Sequence, residues 1–259
     1  MAAMTRMVRH VRPCVAVLLV IVALVVLLAS PRLLPTPVSA DSGIIFGPAC
    51  GAATIDGVVD AVEWNSASTQ TFQMVGPSAA DPFTATLHII NSGNYLYMGI
   101  TINDDEFTTQ GTWLPQGDSF RIDFDNDHTG SLFALGDDVL GVHAGSPQFH
   151  DRYLFNLPTS ASDDTKGGGT LDGVGAASRV CGLNHFELRH PLCSGDSLDF
   201  CLHPTESVGF RLEYLDAEAD GSFGGSRYFP GNQATSEAGI VIGECSIPDM
   251  AVYLPLIKR

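Results

Sequence analysis

Asn94-Tyr95-Leu96-Tyr97-Met98-Gly99-Ile100-Thr101-Ile102 is the stretch that decides the fold. Leu96, Met98, Ile100 and Ile102 alternate with Tyr95, Tyr97, Gly99 and Thr101, the period-two pattern of a strand with one buried face. Phe120, Ile122 and Phe124 alternate in the same way with Arg121, Asp123 and Asp125. Outward from these, residues 84–90, 149–157, 185–188, 208–214 and 239–242 read as further strands. Turn clusters such as Ser92-Gly93-Asn94, Lys166-Gly167-Gly168-Gly169 and Asp220-Gly221-Ser222 lie between them. No convincing amphipathic helix interrupts the series. Many short strands broken by Gly, Asn and Asp specify an all-β protein, an antiparallel β-sandwich. Residues 160–177, rich in Gly, Asp, Ser and Thr, read as a long surface loop, and neither a repeat nor a linker divides the chain.

The ends differ from this pattern. Arg6, Arg9 and Arg12 precede an unbroken apolar run from Cys14 to Ala29, and Val38-Ser39-Ala40 follows ahead of Asp41. Basic, apolar and small-residue segments in that order read as a secretory signal over residues 1–40. The apolar run is shorter than the roughly 20 residues of a bilayer-spanning helix. A domain over residues 41–247 then remains, with residues 248–259 as a C-terminal tail or edge strand in which Pro255 is tolerated. Without residues 1–40 the chain keeps 9 basic and 29 acidic residues, a formal charge of −20. Such a charge excludes nucleic acid and anionic membranes as partners. The expected location is secreted and extracellular, including attachment at the cell surface, and an oxidising compartment makes disulfides the first expectation for cysteine. Cys193 and Cys201 flank a Ser194-Gly195-Asp196-Ser197 turn that a bond would close, and Cys50 with Cys245 would tie the domain's ends together. Cys181 is then left over, and other pairings stay open.

Ile55-Asp56-Gly57-Val58-Val59-Asp60-Ala61-Val62-Glu63-Trp64 resembles the opening signature of family 9 carbohydrate-binding modules. The resemblance continues in order through the 94–100 strand, the Asn103-Asp104-Asp105 turn, Gly117-Asp118-Ser119-Phe120-Arg121-Ile122-Asp123-Phe124-Asp125, and His185-Phe186-Glu187-Leu188. It implies a jelly-roll type sandwich, structural calcium and an aromatic glycan site, with Trp113 where sugar-binding members carry a stacking tryptophan. Two departures stand out. Gly231-Asn232-Gln233-Ala234 offers no counterpart to the second tryptophan, and Arg121 occupies a position where an acid is expected.

Read from the residues themselves, Asp123, Asp125 and Asp127 stand at i, i+2 and i+4 where a strand enters a turn. Three carboxylates held so close would repel without a cation, and hard oxygen donors suit Ca²⁺. Asp137 and Asp138 join this expected metal site as the loop returns, and Asn103, Asp104 and Asp105 form a weaker second group. The indole face of Trp113 suits a sugar ring, and Tyr228 and Phe229 supply a second aromatic wall. Trp64 is expected inside. His185 and His190, five apart on a strand, fall on opposite faces and read as solvated surface residues, not zinc ligands. Met98 is in phase with the core, so no Met–His haem pair is indicated. Neither G-x-S-x-G, H-E-x-x-H nor a phosphate-binding glycine loop occurs. These features favour a non-catalytic, calcium-stabilised module that binds a glycan or cell-surface polysaccharide. The alternatives are a surface adhesion module that keeps the sandwich without the sugar site, an accessory domain of a glycoside hydrolase system, and a haem-binding relative.

Overall fold

The alternation becomes register in a computed structural model that describes residues 42–76, 81–110, 116–126, 134–146, 148–156, 160–231 and 236–245. Thirteen strands lie among these residues: β1 Ile45–Phe46, β2 Ser68–Met74, β3 Phe83–Asn91, β4 Tyr95–Ile102, β5 Ser119–Asp125, β6 Asp138–His143, β7 Phe149–Asn156, β8 Ser160–Asp163, β9 Val174–Val180, β10 Leu183–Pro191, β11 Ser207–Ala217, β12 Phe223–Phe229 and β13 Ala238–Val241. One sheet runs β1-β13-β11-β5-β6-β7-β8, with β12 also paired to β11, and the other runs β2-β3-β4-β10-β9. The β1–β13 pair is parallel, and the other ladders between named strands are antiparallel.

The core forms where the in-phase apolar positions of the two sheets meet. Leu96, Met98, Ile100 and Ile102 of β4 and Phe120, Ile122 and Phe124 of β5 are buried, and Phe186 of β10 joins them. Each large apolar side chain so enclosed is worth about 1.5–3 kcal/mol of transfer free energy. This is a two-sheet β-sandwich, as the alternation requires.

The opening signature has a structural task. Trp64 Nε1–H donates to Glu187 Oε1 at 2.9 Å, while Glu187 Oε2 accepts from the backbone N–H groups of Asp56, Gly57 and Val58 at 3.1, 2.8 and 3.2 Å. Gly57 has φ +87°, and a Cβ there would stand 3.1 Å from the Ala177 backbone, so both conformation and space demand glycine. Trp64 is buried against Ile90 and Tyr97, which places it inside.

Residues 160–177 do not form one surface loop. They carry β8, a four-residue helix α1 (Asp164–Gly167) and the start of β9. Asp163 caps α1 by accepting from Thr165 N–H at 3.1 Å, and Gly168 ends it in the left-handed region at φ 93°. Elements this short leave no periodic trace in sequence. Among the described residues, disulfides join Cys50 to Cys245 and Cys193 to Cys201; Cys181, which is not free either, occupies the β9–β10 turn with φ 51°. The expected tail or edge strand over 248–259 lies outside the described residues.

Candidate functional site

Among the described residues, polar side chains gather on the outward face of the β5–β11 ladder, at the interior end of the sandwich around β6, β7 and β10, and around Asp104, Asp118 and Asp216.

On the outward face, alternation that buries Phe120, Ile122 and Phe124 turns Arg121, Asp123 and Asp125 away from the core. The register sets Arg211 opposite Asp123 and Glu213 opposite Arg121, so unlike charges meet across the ladder. Arg211 donates to Asp123 Oδ2 from Nη2 at 2.5 Å and from Nε at 3.1 Å, and Arg121 Nε donates to Asp123 Oδ1 at 2.8 Å. Glu213 lies 3.7 Å from both guanidinium groups. Tyr228, opposite Glu213 on β12, is half-buried with the Arg211 guanidinium 5.0 Å from its ring centroid. The result is an aromatic ring beside a preorganised Arg–carboxylate lattice, donors and acceptors of the kind that recognise hydroxyl pairs. Phe229 is on the other face. It is buried and stacks on Phe72 at 3.7 Å between centroids, so it belongs to the core and not to an aromatic wall. Trp113 and Asp127 lie outside the described residues.

The acidic group expected for a metal is dispersed by this geometry. Both oxygens of Asp123 are engaged by arginines, which removes it as a metal ligand. Asp125 is buried on the outward face, where Gly209 opposite it leaves room for the Glu237 carboxylate. Asp137 accepts from Asn126 N–H at 3.3 Å and Ala134 N–H at 2.8 Å and so holds the β5–β6 connection. Asp138, the next residue, is in phase with Leu140 and Val142 and points inward.

There Asp138 meets Asp151 of β7, Asp164 of α1, His190 of β10 and Asp199 of the loop closed by Cys193–Cys201. All five are buried. One ligand atom each from Asp138, His190 and Asp199 lie within 4.8 Å of one another, as do single oxygens of Asp151, Asp164 and Asp199. Neither oxygen of Asp138 or of Asp164 has a hydrogen-bond donor, nor does Asp151 Oδ1. Burial drives the Asp138 carboxyl well above its ordinary range; His190 opposes that shift, and Asp151, Asp199 and Asp164 add to it. Burial, then Asp151 and Asp199, push the Asp164 carboxyl up to about 8. Four carboxylates in an apolar setting with orphaned oxygens are costly unless a cation joins them. Their hard oxygen donors fit a dication such as calcium. Glycine allows the close packing around this end: a Cβ on Gly169 would stand 2.4 Å from Asp196 Oδ2, and one on Gly167 would stand 2.7 Å from Leu198 and Tyr153.

His190 is therefore not a solvated surface residue. It does face away from His185, as their spacing requires; His185 Nδ1 accepts from Val59 N–H at 3.1 Å on the opposite side of the sheet. A signal for this cluster was present in the sequence. Asp138 falls in phase with Leu140 and Val142, and His190 with Phe186 and Leu188, all buried, and a polar residue at such a position needs a partner.

A second buried acidic group, Asp104, Asp118 and Asp216, is closed by the protein's own donors. Asp118 accepts from Thr108 N–H at 2.9 Å, Ala217 N–H at 3.0 Å and Asn184 Nδ2 at 3.2 Å. Tyr214 O–H donates to Asp104 at 2.6 Å, and Arg227 donates to Asp216 at 2.7 Å.

Residues 55–142 match the family described as carbohydrate family 9 binding domain-like. Among solved structures, the chain is similar to a family 9 carbohydrate-binding module from Caldicellulosiruptor kristjanssonii in complex with cellotriose. Identity is 18%, the TM-score is 0.55, and the match covers 81% of this chain and 96% of that one. A module from the same organism in complex with glucose gives 17% identity and a TM-score of 0.55, covering 79% of this chain and 97% of that one. At these identities the likeness is one of fold. No curated protein sequence matches the chain. Among the described residues, no helix is long and apolar enough to cross a membrane.

Proposed function

We propose that this chain is a secreted, non-catalytic carbohydrate-binding module whose glycan site is the outward face around Tyr228, Arg211, Arg121 and Glu213. The observation that carries the reading is Tyr228, half-buried beside an Arg–carboxylate lattice on a sandwich whose residues 55–142 match a carbohydrate-binding family. The ring offers an apolar platform for sugar C–H bonds, and Arg121 and Glu213, the lattice members that keep some exposure, offer a donor and an acceptor held rigid by the buried Arg211–Asp123 pair. The resemblance implies Trp113 as a further residue that stacks on the sugar. A dication, calcium in the first instance, sits among Asp138, Asp151, Asp164 and Asp199 and fixes the end of the sandwich. Residues 1–40 direct export, and two disulfides accord with an oxidising compartment.

The test is a glycan array in millimolar calcium, followed by calorimetry on the best ligand. Tyr228→Ala and Trp113→Ala should each weaken binding at least about tenfold, which corresponds to about 1.4 kcal/mol. Failure of the folded protein to bind any glycan would overturn the reading. The burial of Phe229 favours one rival, a surface adhesion module without a sugar site, since it removes one aromatic from the outward face. That rival predicts retention on cell envelopes, unaffected by Tyr228→Ala.

A further inference from the structure

We infer that the interior cluster is a mixed nitrogen–oxygen metal site, with His190 Nε2 as a direct ligand, that takes a borderline divalent ion of the zinc class more tightly than calcium. This rests on the reading of the cluster as a cation site and goes beyond it. His190 Nδ1 lies 2.9 Å from the Pro191 carbonyl oxygen, an acceptor, so Nδ1 carries the proton and donates. Nε2 faces the carboxylates, where a metal ion would take the place of any proton it carries. Metal-binding imidazoles are commonly held in this way, with one ring nitrogen tied to a carbonyl while the other ligates.

Nε2 is fully buried and has no hydrogen-bond partner. Its distances to Asp151 Oδ2 and Asp199 Oδ2, 3.6 and 3.5 Å, are too long for hydrogen bonds. They are close to the ligand-to-ligand edge of a tetrahedral site with bonds of about 2.1 Å, which is about 3.4 Å. Asp151 Oδ2 is itself oriented by the Asp172 N–H at 2.9 Å, and the His190 ring packs edge-on against Phe200 at 5.0 Å between centroids. Imidazole nitrogen is a poor donor for calcium, which prefers oxygen, and a good one for zinc. The buried histidine thus shifts the site's preference.

The experiment uses the oxidised domain without residues 1–40, first stripped with EDTA. Thermal unfolding is followed against Zn²⁺ and Ca²⁺ separately, and the histidine ¹⁵N resonances are followed through the zinc titration. Stabilisation by Zn²⁺ at a concentration at least tenfold below that needed with Ca²⁺ is expected, together with a ligation shift at His190 Nε2 while Nδ1 stays protonated. His190→Gln should abolish the zinc preference and keep the calcium response. Three results would overturn the inference: calcium binding as tightly as zinc, His190 protonated on both nitrogens at saturating zinc, or a His190→Gln variant that folds and keeps the preference. Stabilisation by calcium but not zinc would leave the cation site standing and remove only the nitrogen ligand. Stabilisation by neither ion would remove both. The NMR readout needs no variant, so a misfolded His190→Gln protein would not block the test.

Discussion

Two buried acidic groups lie inside the same sandwich and solve the same electrostatic problem in different ways. Around Asp118 the chain supplies backbone N–H groups, Asn184, the Tyr214 hydroxyl and Arg227, so the carboxylates are enclosed by donors the fold provides. Around Asp138 the chain brings four carboxylates and a histidine together and leaves the oxygens of Asp138 and Asp164 bare. The difference teaches that acidic count does not identify a metal site; the supply of donors does. The first group is a polar network within the fold. The second has no such donors on Asp138 or Asp164, and under the proposed reading a cation supplies what they lack.

Removing the cation should break the symmetry between the two most visibly. A site filled to about a thousand times its dissociation constant contributes about 4 kcal/mol, which for a domain of this size is about 8–16 °C in melting temperature. EDTA should therefore lower the midpoint by that order, and Asp138→Ala should abolish the response. An EDTA-insensitive wild type would make the two groups equivalent.

The converse substitution sharpens the contrast. Asp118→Ala strands the Thr108 and Ala217 N–H groups and the Asn184 amide inside the protein, at about 1–3 kcal/mol for each group left unsatisfied. A loss of about 3 kcal/mol or more is expected in chemical unfolding, equal with and without added cation. If added cation rescued it, Asp118 would belong to a metal site too.

The smallest effect is a slope with pH. Burial, opposed by the N–H bonds to Ala217 and Thr108 and reinforced by Asp104 and Asp216, lifts the Asp118 carboxyl to about 7. Burial likewise lifts Asp104 to about 6, against the hydrogen bond from Tyr214. The folded state then holds protons that the unfolded chain releases near pH 4. Stability contributed by these groups is greatest at low pH and declines as pH rises through about 7. Metal-free protein should melt at a lower temperature at pH 8 than at pH 6, and Asp118→Asn should flatten that slope.

Legibility followed the same division. Period-two alternation in β4 and β5 announced the sandwich, and the spacing of Cys193 and Cys201 about a polar turn announced their bond. The acidic group expected from the sequence included Asp138 but not Asp151, Asp164 or Asp199, because proximity in sequence stood in for proximity in space. Asp123, Asp125 and Asp127 look convergent along the chain, yet cross-strand register gives Asp123 to Arg211. Asp151, Asp164, His190 and Asp199 come from four separate elements that no local motif links. The phase of Asp138 and His190 with buried neighbours was readable, but their mutual contact depends on strand order in both sheets. The outward Arg–carboxylate lattice was hidden for the same reason.

The bond between Cys50 and Cys245 spans a sequence separation of 195 residues with 5.4 Å between its Cα atoms. Tension applied to the chain before Cys50 and after Cys245 loads the short β1–β13 pairing, then passes through that covalent link and bypasses the other ladders. A domain pulled at both ends would thus withhold roughly 650 Å of extended chain and keep the sandwich between the two cysteines folded under load until the disulfide is reduced.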